Sequence, residues 1–327
     1  MKTPTTHPKN LILGLVKGYT FDKVKPFLIS LKKTGFQGDV CFFVADLTPE
    51  TISAIQEYGV KLQSFKEWYL KLPLIKQGKL IWKKINFYNK LVNFYPFNRL
   101  NSWLVKTLTS RQPNPYAAKC NLVSKFVDIM GLRYPLYYLY LLEHGENYSN
   151  VMITDVRDVL FQRDPFDFEI GDHLCCFFEE EGKTLRTGDA NAVWLREGFG
   201  PHVLDAIGDK KISCAGITIG SRFAMMEYLE GMIDNLIELK CHTWGIDQGV
   251  HNYILHSGKI KNVKFYENYH GPVLTMHFSK DEKLRFDERG YLLNEDGSVI
   301  NILHQYDRKS AEIKNKMLVY RESECNY

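Results

Sequence analysis

Two carboxylates, Asp155 and Asp158, stand three residues apart directly behind the run Val151-Met152-Ile153-Thr154. In a parallel α/β sheet, ligands gather beyond the carboxyl ends of the strands, so a strand that ends this way delivers both acids to a binding edge. Adjacent carboxylates repel each other, and a bound divalent cation is a common reason to hold them close. The simpler alternative is that one aspartate caps the turn while the other pairs with Arg157 or Arg163. Taken alone, the D-x-x-D spacing leaves both readings open.

The elements that must position these acids begin at the first apolar run. Asn10 to Val16 reads as a buried strand, and Phe21 to Thr34 carries Val24, Phe27, Leu28 and Leu31 at helical spacing. Asp39 to Ala45 is a second buried strand, and Thr48-Pro49 opens a helix with Thr48 as its cap. Strand, helix, strand, helix predicts a parallel α/β sheet. The rhythm breaks between Gln63 and Gln112, where Ile81, Ile85, Tyr88 and Leu91 or Val92 suggest an insertion of amphipathic helices, bounded here as residues 64–116. Helices are expected at Ala117 to Asp128 and Arg133 to His144, leading into the strand Val151 to Thr154. Leu174 to Phe178 and Ser213 to Gly220 read as strands and Phe223 to Leu239 as a helix. Thr243 to Leu255 turns into a helix, and a β-rich tail runs from Val263 to Tyr266 and from Val299 to His304. With no repeats and no low-complexity linker, residues 1–327 are expected to form one domain carrying one insertion.

Four segments, in order, resemble the GT-A-fold glycosyltransferases that use nucleotide-diphosphate-sugars, and family 8 enzymes in particular. D-V-R-D-V-L-F-Q-R-D-P-F, from Asp155 to Phe166, is similar to their metal-binding turn; Cys214 to Gly220 resembles the small-residue strand lining the donor pocket. Gly245-Ile246-Asp247-Gln248 resembles the segment opening a helix beside the reacting centre, and Ile302 to Arg308 resembles the late strand whose histidine binds metal. The likeness covers residues 10–60 and 117–308, and its D-x-x-D departs from the usual D-x-D, with Val156 where relatives place their first aspartate.

The resemblance implies a mostly parallel GT-A (Rossmann-like) sheet flanked by helices, with the basic insertion and a β-rich C-terminal part. It implies a UDP- or GDP-sugar donor, a glycan, lipid-linked or protein acceptor, and Mn²⁺ or Mg²⁺ offsetting charge on the leaving diphosphate. Asp158 and His304 would be metal ligands, with Asp155 either a third ligand or the holder of a ribose hydroxyl or a water. Gly14, Lys17 and Tyr19, at the end of the first strand, would face the nucleotide, Gly216 would line the donor pocket, and Arg133 would contact the donor. Asp247 and Gln248 are the candidates for the chemical step; Asp247 could instead cap its helix, and Glu179, Glu180 and Asp189 are further candidate bases. A sugar nucleotidyltransferase is disfavoured because the Gly-rich loop after the first strand is missing, while a non-catalytic nucleotide-sugar- or glycan-binding protein stays open.

Composition sharpens where partners would bind. Between Trp68 and Val127 there are eleven Lys or Arg and no Asp or Glu; set against a net charge of +4, those eleven leave −7 for the rest of the chain. Aromatics are interleaved with the lysines, which suits an anionic membrane surface over nucleic acid, or a solvated lysine face above a core-facing aromatic one. No nucleic acid is expected as a partner. The seven cysteines, with no C-x-x-C pair, read as reduced thiols. A polar start at Met1 to Lys9 and the absence of a long apolar run predict a cytoplasmic chain, peripheral on the membrane where the basic segment meets it.

Overall fold

The computed structural model describes residues 8–76, 79–180 and 182–322. The chain opens with β1 (Lys9–Lys17), α1 (Phe21–Lys33), β2 (Asp39–Ala45) and α2 (Pro49–Gln56), within a residue or two of the expected bounds. Side chains alternate across each strand, so Leu11, Leu13, Cys41 and Phe43 enter one core while Ile12, Phe42 and Val44 enter another. Both faces are covered, which is why these strands read as unbroken apolar runs. Thr48 caps α2 as anticipated, its Oγ1 accepting the N–H of Thr51 at 3.3 Å, with Pro49 in the first turn.

After β3 (Lys61–Ser64), the expected run of helices is corrected. A two-stranded antiparallel hairpin comes first, β4 (Leu70–Lys76) and β5 (Lys79–Ile85), followed by α3 (Phe87–Val92) and α4 (Phe97–Thr109). Ile81 and Ile85 share a face at a spacing of four in a helix and in a strand alike, so their periodicity does not discriminate. Pro73 and the β-branched residues of the two runs favour the strand.

Two helices follow, α5 (Pro115–Val123) and α6 (Ile129–His144). Asp128 caps α6 by accepting the N–H of Gly131 at 2.8 Å, which moves the start of this helix before Arg133 and sets Arg133 in its second turn. Then come β6 (Tyr148–Thr154), β7 (Val159–Phe161), β8 (Leu174–Phe178), α7 (Asp189–Gly198), α8 (Pro201–Ile207) and β9 (Ser213–Ser221). The chain continues through α9 (Arg222–Glu238), α10 (Ile246–His256), β10 (Val263–Tyr266), β11 (Val273–Thr275), β12 (Ile302–His304) and α11 (Ala311–Glu322).

Seven strands form the main sheet in the order β10-β8-β9-β6-β1-β2-β3. β9 runs antiparallel to both its neighbours, and the other pairings are parallel, giving the mixed, mostly parallel sheet flanked by helices that the sequence predicts. One face is covered by α6, α9 and α10, whose Tyr134, Tyr137, Tyr228 and Met232 are fully buried. The other face takes α1, where the Phe27 ring meets Phe42 and Phe161 edge-on at 5.5 and 4.8 Å. The C-terminal part divides. β10 adds to the edge of the main sheet, whereas β11 and β12 join β7 in a separate three-stranded sheet.

Candidate metal and donor site

β6 ends at Thr154, and the next residue, Asp155, donates its N–H to the carbonyl of Gly216 on β9 at 2.8 Å. The chain then turns through Asp158 into β7. β12 pairs antiparallel with β7, placing His304 opposite Val159, and the N–H of Gln305 donates to the carbonyl of Asp158 at 2.7 Å. One turn between two strands and the end of a third thus bring Asp155, Asp158 and His304 together, with one ligand atom of each within 4.8 Å of the others.

Two missing Cβ atoms make room for this. A Cβ on Gly14 would lie 2.5 Å from Cγ2 of Val156, so the turn seats Val156 directly over β1. Val156 is buried there and offers no ligand. A Cβ on Gly216 would lie 2.4 Å from Cε1 and 2.6 Å from Nε2 of His304, and 2.8 Å from Oδ2 of Asp155. Any side chain there would close the space between imidazole and carboxylate.

His304 is fully buried, and its Nε2 has no hydrogen-bond partner; the nearest carboxylate oxygen, Oδ2 of Asp155, is 3.6 Å away. Its Nδ1 lies 3.6 Å from Sγ of Cys214. A buried, unpartnered nitrogen facing two carboxylates fits a cation at that point. Burial opposes a charge on His304, but Cys214, Asp155 and Asp158 outweigh it and push its pKa well above the usual imidazole value. Burial also raises Asp158, against the pull of His304, while for Asp155 His304 and Arg133 overcome burial and hold the carboxyl low. A metal ion bound to Nε2 of His304 would displace any proton from that nitrogen.

Arg133 is buried between two carboxylates. Its Nη1 donates to Oδ1 of Asp155 at 2.8 Å and its Nη2 to Oδ2 of Asp247 at 2.6 Å, with the Tyr134 hydroxyl 3.3 Å from the same Asp247 oxygen. Asp247 is only 2% exposed, so it faces Arg133 and not solvent. Gln248, beside it, accepts from the N–H of Ala215 at 2.8 Å and donates to Oε1 of Glu179 at 3.2 Å. Glu179 is half-buried, and burial pushes its carboxyl up to about 7 despite the pull of His304. Glu180 is engaged elsewhere, with the Tyr269 hydroxyl at 2.9 Å and Lys283 at 2.7 Å; the side chain of Asp189 lies outside the described residues.

At the end of β1, Lys17 is ion-paired with Glu67. Tyr19 is half-buried, and burial with the nearby charges of Asp155 and Asp158 raises its hydroxyl pKa, which puts its phenol beside the acidic cluster. Sequence reasoning missed the contact of Cys214 with His304, two residues before Gly216 on the same strand face. It also missed the pairing of Arg157 with Asp307 at 3.3 Å. The signal for Cys214 was present in strand alternation; none marks Asp307, which comes near through the short sheet of β7 and β12.

No family model matches this chain, and no curated protein does. Among solved structures, it is similar to the apo form of WbbM, a bifunctional glycosyltransferase, at 11% identity and a TM-score of 0.43. That alignment covers 98% of this chain and 45% of WbbM, so the chain spans less than half of that protein's length. It is also similar to core-mannan synthase A (CmsA/Ktr4) from Aspergillus fumigatus in its Mn/GDP form, at 13% identity and a TM-score of 0.41, over 81% of this chain and 74% of that one. By description the first is a glycosyltransferase and the second a mannan synthase.

Proposed function

We propose that the chain moves a sugar from a nucleotide-diphosphate-sugar to a hydroxyl on a glycan or lipid-linked acceptor, with a divalent cation held by Asp155, Asp158 and His304. The observation that carries this reading is the buried Nε2 of His304, unpartnered and facing two carboxylates across the gap left by Gly216. Two carboxylates with one imidazole suit Mn²⁺, and Mg²⁺ less comfortably. When bound, such an ion supplies a Lewis acid for the diphosphate oxygens.

The remaining roles fall to this chain's own residues. Arg133 fixes one oxygen of Asp155 and leaves the other turned toward His304. Asp247, saturated by Arg133 and Tyr134, acts as a positioning residue. Glu179 takes the proton of the acceptor hydroxyl: its carboxyl, near 7, is poised between acid and base at neutral pH, and Gln248 orients it. Tyr19 faces the donor from the end of β1, and Lys17 reaches phosphate once released from Glu67.

A thermal-shift series with UDP or GDP, with and without Mn²⁺, tests the site. The expected result is stabilisation that needs both nucleotide and ion, since a ligand at a hundred times its Kd adds about 2.7 kcal/mol to the native state. Asp158→Asn should remove it, and an unchanged response in that variant sinks the metal site. Turnover of a nucleotide-sugar, read by product mass, then separates an enzyme from a binding protein. Glu179→Gln should lower kcat about a hundredfold or more while keeping the nucleotide response.

A further inference from the structure

Among the described residues, fourteen of the twenty large apolar side chains that stand exposed lie between Trp68 and Leu108. Single exposed apolar residues are ordinary, but a concentration of this kind marks a surface that something covers. α4 shows the arrangement most clearly. Its buried positions are Asn98, Asn101, Val105 and Thr109, a mostly polar stripe that the helix turns toward the protein. Asn98 donates to the carbonyl of Lys240 at 3.3 Å, and Asn101 accepts from the Tyr88 hydroxyl. The outward stripe carries Leu100, Trp103, Leu104 and Leu108, with Trp103 60% exposed. A helix packing on its own core does the reverse.

The hairpin of β4 and β5 repeats the theme. Its strands pair with each other and with no other sheet among the described residues, and Leu70, Leu72 and Trp82 stand exposed on it. A lone two-stranded hairpin is marginal in water and gains from a surface to lie on. In its register Lys71 stands opposite Lys84, and Lys83 opposite Leu72. Lys84 also reaches to 4.0 Å from Asp46, just past the end of β2, so the hairpin is rooted at the same sheet edge as the candidate site.

We infer that the segment from Trp68 to Leu108 docks on an anionic lipid bilayer, with the outward stripe of α4 and the exposed Leu70, Leu72 and Trp82 of the β4–β5 hairpin entering the interface and the surrounding lysines meeting acidic headgroups. The charge decides the occupant. From Trp68 to Val127 there is no acidic side chain against eleven basic ones, so two copies meeting through this face would set like charges against each other, whereas an anionic bilayer complements them. Leu100, Leu104 and Leu108 on the exposed stripe distinguish it from a nucleic-acid surface, where aromatics stack on bases. Among the described residues no helix is long and apolar enough to cross a membrane, so the attachment is to its surface.

Flotation of the whole chain with vesicles of equal parts phosphatidylcholine and phosphatidylserine tests this inference, with phosphatidylcholine vesicles alone as reference. Binding to the anionic vesicles, weakening as salt rises, is expected. Trp103→Ser with Leu104→Ser, and separately Lys71→Glu with Lys83→Glu, should each weaken it about tenfold or more with unchanged thermal melting. The inference is overturned if the wild-type chain leaves both kinds of vesicle unbound, or if both pairs of variants bind as it does. It is equally overturned if light scattering finds a dimer that the Trp103 pair dissociates, or if a single-stranded oligonucleotide is retained where vesicles are not.

Discussion

Between Arg133 and His304 the chain draws charge inward; between Trp68 and Leu108 it turns apolar surface outward. Both depart from the ordinary division of polar outside and apolar inside, in opposite senses, and they are stabilised differently. The inner region sets ionic partners against one another, Arg133 with Asp155 and Asp247, and leaves Nε2 of His304 and Nε of Arg133 buried without a hydrogen-bond partner. The outer region is held to the body through Val92 and Val105 in the core and through side-chain bonds such as those of Asn93 and Asn98, while its outward apolar stripe stands exposed. In the first, changing one residue strands another; in the second, the outward side chains of the α4 stripe meet no polar partner among the described residues. Four measurements tell the two regions apart.

The largest effect is expected at Asp247. Asp247→Ala leaves the Arg133 guanidinium buried with one partner lost, at a cost of about 3–5 kcal/mol in chemical denaturation. Adding Arg133→Met to it should recover part of that loss; a single variant as stable as the parent would show that the buried pair does not organise the inner region. Next comes Gly216→Ala, whose new Cβ would sit 2.4 Å from the His304 ring. Crowding of this kind costs about 1–3 kcal/mol, and here it should also abolish the Mn²⁺-dependent thermal shift.

A third effect concerns pH and the neutral imidazoles of the same interior. Burial lowers His242 to about 4, and burial with the positive charges of His256 and Arg133 lowers His251 to about 3. Unfolded imidazoles titrate near 6.5, above both values, so the unfolded chain binds more protons in between. The contribution to stability is therefore complete above about 6.5 and declines as pH falls toward the folded values. Urea midpoints should drop between about pH 7 and about pH 5, and His242→Phe should flatten the drop. If the slope is unaffected, His242 is not buried neutral. Smallest of all, Trp103→Ser should change stability by no more than about 0.5 kcal/mol, the range of an ordinary surface substitution. A much larger loss would mean that the outer stripe is packed core.

Legibility in the sequence followed the same divide. β1, β2, β8 and β9 were readable because each is buried on both faces and bounded by turns. Asp155, Asp158 and His304 were readable because each follows or ends an apolar run, and strand ends are where ligands meet. What the sequence hides is pairing. Nothing in the order of residues joins Arg133 to Asp247 or Gln248 to Glu179, since these contacts come from α6, α10 and the end of β8 converging on one face of β9. Gly14 was singled out for a nucleotide, yet the structure gives it the separate task of admitting Val156. The β4–β5 hairpin was missed because a spacing of four serves both periods. The direction in which α4 faces was missed because amphipathicity alone does not say which side looks inward.

Arg133, shared between two carboxylates, also bears on the electrical balance of the pocket. Asp155, Asp158 and Asp247 together carry three negative charges, and Arg133 returns one. Arg157 and Asp307 cancel each other. Two charges remain, and under the proposed reading a divalent ion bound with a neutral His304 would balance them. Arg133 would then lower by one the charge that such an ion has to offset.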